Sequence, residues 1–535
     1  MMRANKALTF ARRLAAPWAR PIWRKSGSYW RGAALPLVLM LAGCGTAPPR
    51  PPVEPEVSAC LEFLQASDEV VRQAGVGDAQ AARVPGFPYL RVNRFLASFA
   101  EDDLQDARLE AWMTRLRALD LDAREKEFRA LDPAARAHLM PGPPAVEALS
   151  QRARVCGIRL QQHTADRASA RSRLLKTARV PSDYILWQQI LGIYPLTSLG
   201  VLQGVLRYHR EVEAIYATPL ADLPVQGQLV RFTPPVPATP LSRTDVERIL
   251  QRSADNPLGI PDPDDPDRRS LFAAFAPVWE VDVAAETDRI GMPYWDRRPE
   301  VDTGKPVVFT HLSYARLDGD ILLQLNYVVW FPARPRTGTF DLLGGRLDGI
   351  IWRVTLTADG RPLLYDSVHN CGCYHRFFPT PSLRLTRRSV GFEEPILVPQ
   401  QVNSVPSRKV IRVASRTHSV QRVYSTPGDT GFDRVTEMAY RFRDYDELRA
   451  LPVGAGYRSL FGPDGLVPHT ERRERCLLWP TGVQSPGAMR QWGRHATAFV
   501  GRRYFDDPNL IERYFDKASY SPRGSDVSRE VVKKP

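Results

Sequence analysis

Lysine is nearly missing from this chain, with 9 residues against 64 arginines in a total of 535. The formal charge of +14 falls to +6 once the eight basic side chains of residues 1–43 are set aside. Arginine usage of this kind follows from codon bias as readily as from selection for phosphate contacts, so no nucleic-acid partner is expected. The compact catalytic signatures are also missing. There is no nucleophile elbow, no H-E-x-x-H, no Walker A loop and no dinucleotide fingerprint, and no Lys-Ser/Thr follows Gly344-Gly345. Cysteine is scarce, at six residues.

What remains is the composition of a globular protein, 43% hydrophobic and 25% charged, with 47 prolines that imply long loops. The length exceeds one ordinary core and calls for two or three domains.

The N-terminus carries an address. A basic segment precedes the apolar run Ala33–Ala42, which is too short to span a bilayer. The run ends in Leu41-Ala42-Gly43-Cys44, which resembles the lipobox of bacterial lipoproteins. The resemblance implies a signal peptide over 1–43, cleavage before Cys44, and acyl chains such as palmitate on Cys44 as a membrane anchor. Gly45 stands where an inner-membrane retention signal has Asp, so the expected address is the outer membrane, facing the periplasm. An uncleaved anchor helix is the alternative. In that oxidising compartment Cys60 and Cys156, which bracket the first helical region, are expected to pair. Cys371, Cys373 and Cys476 are left over.

The expected fold class is α+β: a helical N-terminal region, then a mainly antiparallel β domain, then a mixed segment. Residues 44–57 form a proline-rich tether. Residues 58–225 read as a helical domain, with Leu109, Trp112, Leu116 and Leu119 on one stripe. Within it, Tyr184–Leu206 runs for 23 residues without a charge, but Gln188, Gln189, Gln203 and Pro195 argue for a buried helical hairpin rather than a membrane span. Residues 226–304 read as a proline-rich connection with one short helix behind a capping box at Ser242–Asp245. Asp262, Asp264, Asp265 and Asp267 read as a solvated loop, since prolines interrupt them and an EF-hand glycine is missing.

Residues 305–425 switch to period two. Asp318-Gly319 and Asp359-Gly360 each mark a hairpin turn. Counting back from the first turn puts Leu312, Tyr314, Leu323, Leu325, Tyr327, Val329 and Phe331 on a core face. His311, Ser313, Gln324, Asn326 and Trp330 fall on the other face, with His311 opposite Asn326. That polar patch is either solvated or the floor of a ligand pocket. The second turn sets Arg353 against Asp366. Residues 426–520 read as mixed α/β, and 521–535 as a disordered tail. Arg490, Arg494, Arg502 and Arg503 are expected to pair with nearby acids rather than form an anion site.

The densest chemistry sits in His369-Asn370-Cys371-Gly372-Cys373-Tyr374-His375. If Gly372 bends the strand, His369, Cys371, Cys373 and His375 are the expected ligands of zinc or copper(I), with Tyr374 pointing away and Cys476 and His495 the remote donors to examine. A strained Cys371–Cys373 disulfide, a nucleophilic Cys373 assisted by His375 and Asp366, and an idle loop all stay open. His311 is expected to share this site if the two hairpins pack side by side. The sequence therefore points to an outer-membrane lipoprotein with a binding or envelope-scaffolding role, or to a metal-dependent periplasmic enzyme, a hydrolase. Its partners are the membrane, through the lipid, and other envelope proteins.

Overall fold

The computed structural model describes residues 54–518, apart from 103, 141, 143–144, 236–240, 404–407 and 426–434. The expected signal peptide, Cys44, most of the tether and the tail at 521–535 lie outside the described residues. Helices dominate the N-terminal part and sheets the C-terminal part, so the fold is α+β.

Helix α1 (Pro55–Ala74) opens on a proline, where a missing N–H costs nothing, and closes on Gly75 at φ 66°. It packs with α2 (Asp106–Ala130) and α3 (Val146–Ala165) around Trp112, Leu116 and Leu149, all buried. Between α1 and α2 the chain inserts an unexpected hairpin, Ala82–Val84 with Phe87–Val92. Its Arg91 is wholly buried, donating from Nη2 to both Glu127 oxygens at 2.8 and 2.9 Å. A disulfide joins Cys60 of α1 to Cys156 of α3, with Cα atoms 5.1 Å apart. It closes a long loop, so replacing both cysteines by alanine is expected to cost about 2–4 kcal/mol, read by chemical denaturation.

Helices α4 (Leu186–Leu191) and α5 (Tyr194–Ala217) form the expected hairpin, but the break is at Ile193, at φ 48°, and Pro195 sits in the first turn of α5. Nor is it buried. Leu186, Trp187, Ile190, Leu191, Ile193 and Leu196 face outward, while Gln189 and Ser198 face in. No described helix is long and apolar enough to cross a membrane. Helix α6 (Arg243–Ser253) starts at the expected capping box. The acidic run supplies the start of α7 (Asp265–Ala274), with the Asp264 carboxylate accepting from the Asp267 N–H, so this run is a helix N-terminus and not a loop.

The two larger sheets are built from β1 (Gln228–Thr233), β2 (Val278–Val283), β3 (Val307–Leu317), β4 (Asp320–Arg334), β5 (Gly345–Leu356), β6 (Pro362–His369), β7 (Arg376–Pro379), β8 (Lys409–Val413), β9 (Val420–Ser425), β10 (Thr436–Ala439) and β11 (Arg441–Asp444). One sheet runs β7-β6-β5-β4-β3-β11 and is antiparallel except where β11 joins β3. The other runs β9-β8-β2-β1-β10, with parallel pairs at β8–β2 and β10–β1. The stretch expected as a connection thus supplies β1 and β2. Their partners lie about 130 to 210 residues away, so nothing local announces the pairing.

The first hairpin keeps the expected register, with His311 opposite Asn326. Leu323, Leu325, Tyr327, Val329 and Phe331 enter a core shared with Phe232, Trp279 and Ile411 of the other sheet. The opposite face is covered as well. The irregular segment 445–505 lies over Phe309, Val328, Trp330 and Ile351, packing Tyr445, Met489, Trp492 and Phe505 against them. The polar patch is therefore divided: Gln324, Asn326 and Trp330 are buried, while His311 and Ser313 are half-buried and line a cavity. Ser313 Oγ donates to Gln324 Oε1 at 2.8 Å, Asn326 Nδ2 to Ser313 Oγ at 2.9 Å, and Gln324 Nε2 to Thr355 Oγ1 at 3.1 Å, an internal ladder that leaves Asn326 Oδ1 without a partner among the described residues.

Candidate functional site

The central run is a chain reversal rather than a bent strand. Strand β6 ends at His369 and β7 begins at Arg376, paired with Ser367. Within the turn, Gly372 N–H donates to the His369 carbonyl at 2.7 Å and His369 N–H to the Cys373 carbonyl at 3.0 Å. Gly372 sits at φ 89°, and a Cβ there would lie 2.6 Å from the Ala496 carbonyl oxygen, so both conformation and space require glycine. Tyr374 takes φ 62°, which ends the alternation and removes the common face on which four ligands were expected.

The four donors do not gather. His369 Nδ1 faces Asp348 Oδ1 at 3.3 Å, on β5. His375 Nε2 faces Asp366 Oδ2 at 2.8 Å, on β6. Cys371 is buried in the core cluster that holds Trp492 and Met489. Both thiols are free. The Cys371 thiol and burial push Cys373 well above the ordinary thiol range, so it is held as a thiol. Among the described residues, no three His, Cys, Asp or Glu side chains are placed to hold a metal ion. Cys476 is exposed on the short helix Arg475–Leu478. His495 is buried beside the Asn370 carbonyl.

Carboxylates organise the histidines. Asp366, fully buried, receives Arg353 at both oxygens (Nε–Oδ1 2.9 Å, Nη2–Oδ2 2.6 Å), the expected cross-strand pair. Burial would raise Asp366, but Arg353 and His375 outweigh it and hold the carboxyl below its usual value. Asp348 is shared by His369 and His418, and His418 Nε2 lies 3.4 Å from Asp288, with its ring stacked on Phe331. Burial opposes charge on His418, yet the two carboxylates raise its pKa. Burial instead lowers His375 to about 4 and His495 to about 3, Arg490 adding to the latter.

The linkage has a definite sign. A histidine whose folded pKa is lowered binds protons preferentially when unfolded, so its stability is present above 6.5 and lost as pH falls. Between pH 6.5 and 4, His375 and His495 are each expected to remove on the order of 3 kcal/mol. His418 acts oppositely: its contribution is complete below 6.5 and is lost as pH rises through its raised value. Denaturation midpoints across pH 4–8 should therefore fall on the acid side, and His495→Gln should flatten that fall.

A cavity of about 660 Å³ opens beside the turn. One wall is α5, through Gly200, Val201, Gly204 and Val205. The opposite wall is Gly372–His375, with Leu343, Pro395, Leu397, Leu477, Leu478 and Phe499 completing an apolar lining. A few polar groups enter it. Burial raises Glu474 to about 7, despite the pull of Arg334, Arg472 and Arg490. Burial lowers His209 to about 4, with Arg503, Arg388 and Arg376 adding to the shift. Glu394 accepts the Phe499 and Val500 N–H groups at 2.8 and 3.0 Å and meets Arg503 Nη2 at 3.3 Å.

Of the sequence candidates, Cys373 and His375 line this cavity. His311 and Ser313 line a separate cavity of about 320 Å³ beneath α2, where the His311 ring packs at a tilt against Trp492, centroids 4.6 Å apart. The hairpins neighbour one another as expected, but His311 belongs to a different hollow. Sequence reasoning passed over Glu474, His209 and the α5 glycines. The signal available was Gly200 and Gly204 one helical turn apart in an uncharged run, a face too small to fill its own side of a helix. Arg503 and Arg494 pair with acids, but distant ones, Glu394 and Asp183, whereas Arg490 donates to the Cys371, Gln484 and Ser485 carbonyls and Arg502 lies exposed over the Tyr184 ring. No family model, curated protein or solved structure matches this chain.

Proposed function

We propose that this chain is a lipoprotein anchored to the outer membrane, facing the periplasm, whose body binds an elongated apolar ligand with a polar end. The cavity carries the reading. Its volume falls within the range of small-molecule sites, its lining is mostly apolar, and few polar groups fix orientation. Glu474, held near neutrality, can donate to a ligand ester or carboxyl oxygen when protonated and pair with a cationic head when ionised. Binding is favoured over catalysis by the state of the nearest reactive groups. Cys373 is kept protonated, and His375 is engaged by Asp366.

Titration with a polarity-sensitive fluorescent fatty acid tests this. Saturable binding at one site per chain is expected, and its absence would remove the reading. Anchoring has its own test. Cys44→Ala is expected to leave an unprocessed precursor or release the protein from membranes, read by fractionation and intact mass. Normal processing and retention would contradict it.

A further inference from the structure

The α4–α5 hairpin is built inside out. Leu186, Trp187, Ile190, Leu191, Ile193 and Leu196 are 59% to 68% exposed, while Gln189 and Ser198 are buried. This is not a loosely held arm. Gln189 Nε2 donates to the Thr481 carbonyl at 2.9 Å and Ile185 N–H to the Gly482 carbonyl at 2.7 Å. A Cβ on Gly192 would lie 2.4 Å from Pro480 Cβ, so the hairpin is seated closely on the turn Trp479–Thr481. The polar contacts that fix it to the body are the reason its apolar side chains face out. A contiguous apolar surface of this kind marks an interaction site.

We infer that this hairpin is a bilayer-docking surface, seated in the headgroup region of an anionic phospholipid leaflet. Three observations select a bilayer. The tip carries no charge from Tyr184 to Leu206, and exposed arginines stand behind it: Arg210 on α5, Arg475 beside Leu477, and Arg502 over the Tyr184 ring, with Arg207 also exposed but paired with Glu211 at 3.1 Å. Apolar side chains with Trp at the front and cations behind match an interfacial helix facing acidic lipids, and no described helix is long and apolar enough to cross. The apolar surface also continues into the cavity, because Leu477 is both a lining residue and 63% exposed, and α5 lines the cavity with Gly200 and Val201 while exposing Leu196 and Leu199. Last, Cys44 lies eleven positions before Pro55, which at full extension is a reach of about 40 Å, so a lipid there confines the body to one leaflet. Docking presents the cavity mouth to acyl chains, but it does not depend on what the cavity holds.

The full chain is added to vesicles of phosphatidylethanolamine and phosphatidylglycerol carrying brominated acyl chains, and tryptophan emission is read. Quenching is expected, and Trp187→Phe should remove a distinct part of it. Ile190→Ser/Leu191→Ser/Leu196→Ser retains Trp187 and changes only exposed positions, so it should fold as wild type and partition about tenfold more weakly or less. Quenching of Gly200→Leu/Gly204→Leu should match wild type, which separates failure of docking from failure of the cavity reading. Docking is overturned if Trp187→Phe and wild type are quenched equally. Equal quenching on neutral phosphatidylcholine vesicles overturns the anionic assignment. A vesicle-free dimer that the triple serine variant dissociates overturns it too, by showing a second copy on this face.

Discussion

Asp366→Ala is expected to destabilise the protein by about 3–5 kcal/mol, because it strands a buried cation. Arg353 is almost wholly buried, and Asp366 takes two of its hydrogen bonds. A third goes to the Phe505 carbonyl at 2.6 Å, and the guanidinium lies 3.8 Å from the Phe505 ring centroid. These contacts cannot neutralise the charge once the carboxylate is gone. His375 loses its partner in the same step. Much of the cost therefore belongs to the residues left behind, and the double change Arg353→Met/Asp366→Leu should cost less than Asp366→Ala alone. Urea denaturation of the three proteins measures this. A single variant within about 1 kcal/mol of wild type would show that water reaches Arg353.

Gly200→Leu/Gly204→Leu is expected to abolish ligand binding while holding or raising stability. Glycine inside a helix costs about 1 kcal/mol against alanine, and a Cβ at either position meets no atom within 4 Å. Nothing in the fold resists the larger side chain, which projects into the cavity instead. Fatty-acid affinity should fall at least about tenfold, the equivalent of roughly 1.4 kcal/mol. The pairing of effects is diagnostic, since a folding defect lowers both quantities. Gly204→Ala should gain stability and keep most of the affinity.

The local part of this structure was legible. The two-residue turn at Asp318-Gly319 fixes register by geometry and placed His311 against Asn326. Arg353 also meets Asp366, but Leu356 pairs with Pro362 beside that turn and the register shifts between Pro362 and Leu364, so an irregularity in the strand and not the turn alone sets the pair. The capping box at Ser242 and the pairing of Cys60 with Cys156 were equally local or compartmental inferences. What covers each surface was not legible. Gln324 and Asn326 read as solvated or as a pocket floor because their polarity is visible, and the segment 445–505 that packs on Phe309, Val328 and Trp330 of that hairpin has no periodicity of its own. Strands β1 and β2 were lost because their parallel partners are remote. The α4–α5 run failed differently. Apolar composition implies removal from water, and only the hydrogen bonds of Gln189 show which side faces the body. In the central run the sequence shows four donor side chains at every second position. The positive φ of Gly372 and Tyr374 then turned the chain back and sent His369 and His375 to separate carboxylates.

Ligand content decides between a filled cavity and an incidental hollow. Protein purified from membranes can be extracted with organic solvent and the extract analysed by mass spectrometry, with the covalent lipid expected on Cys44 remaining on the chain. Wild type should release close to one equivalent of an apolar or amphiphilic compound, and Gly200→Leu/Gly204→Leu should release none. No extractable compound in either protein, or equal amounts from both, would contradict a ligand seated between α5 and the His369–His375 turn.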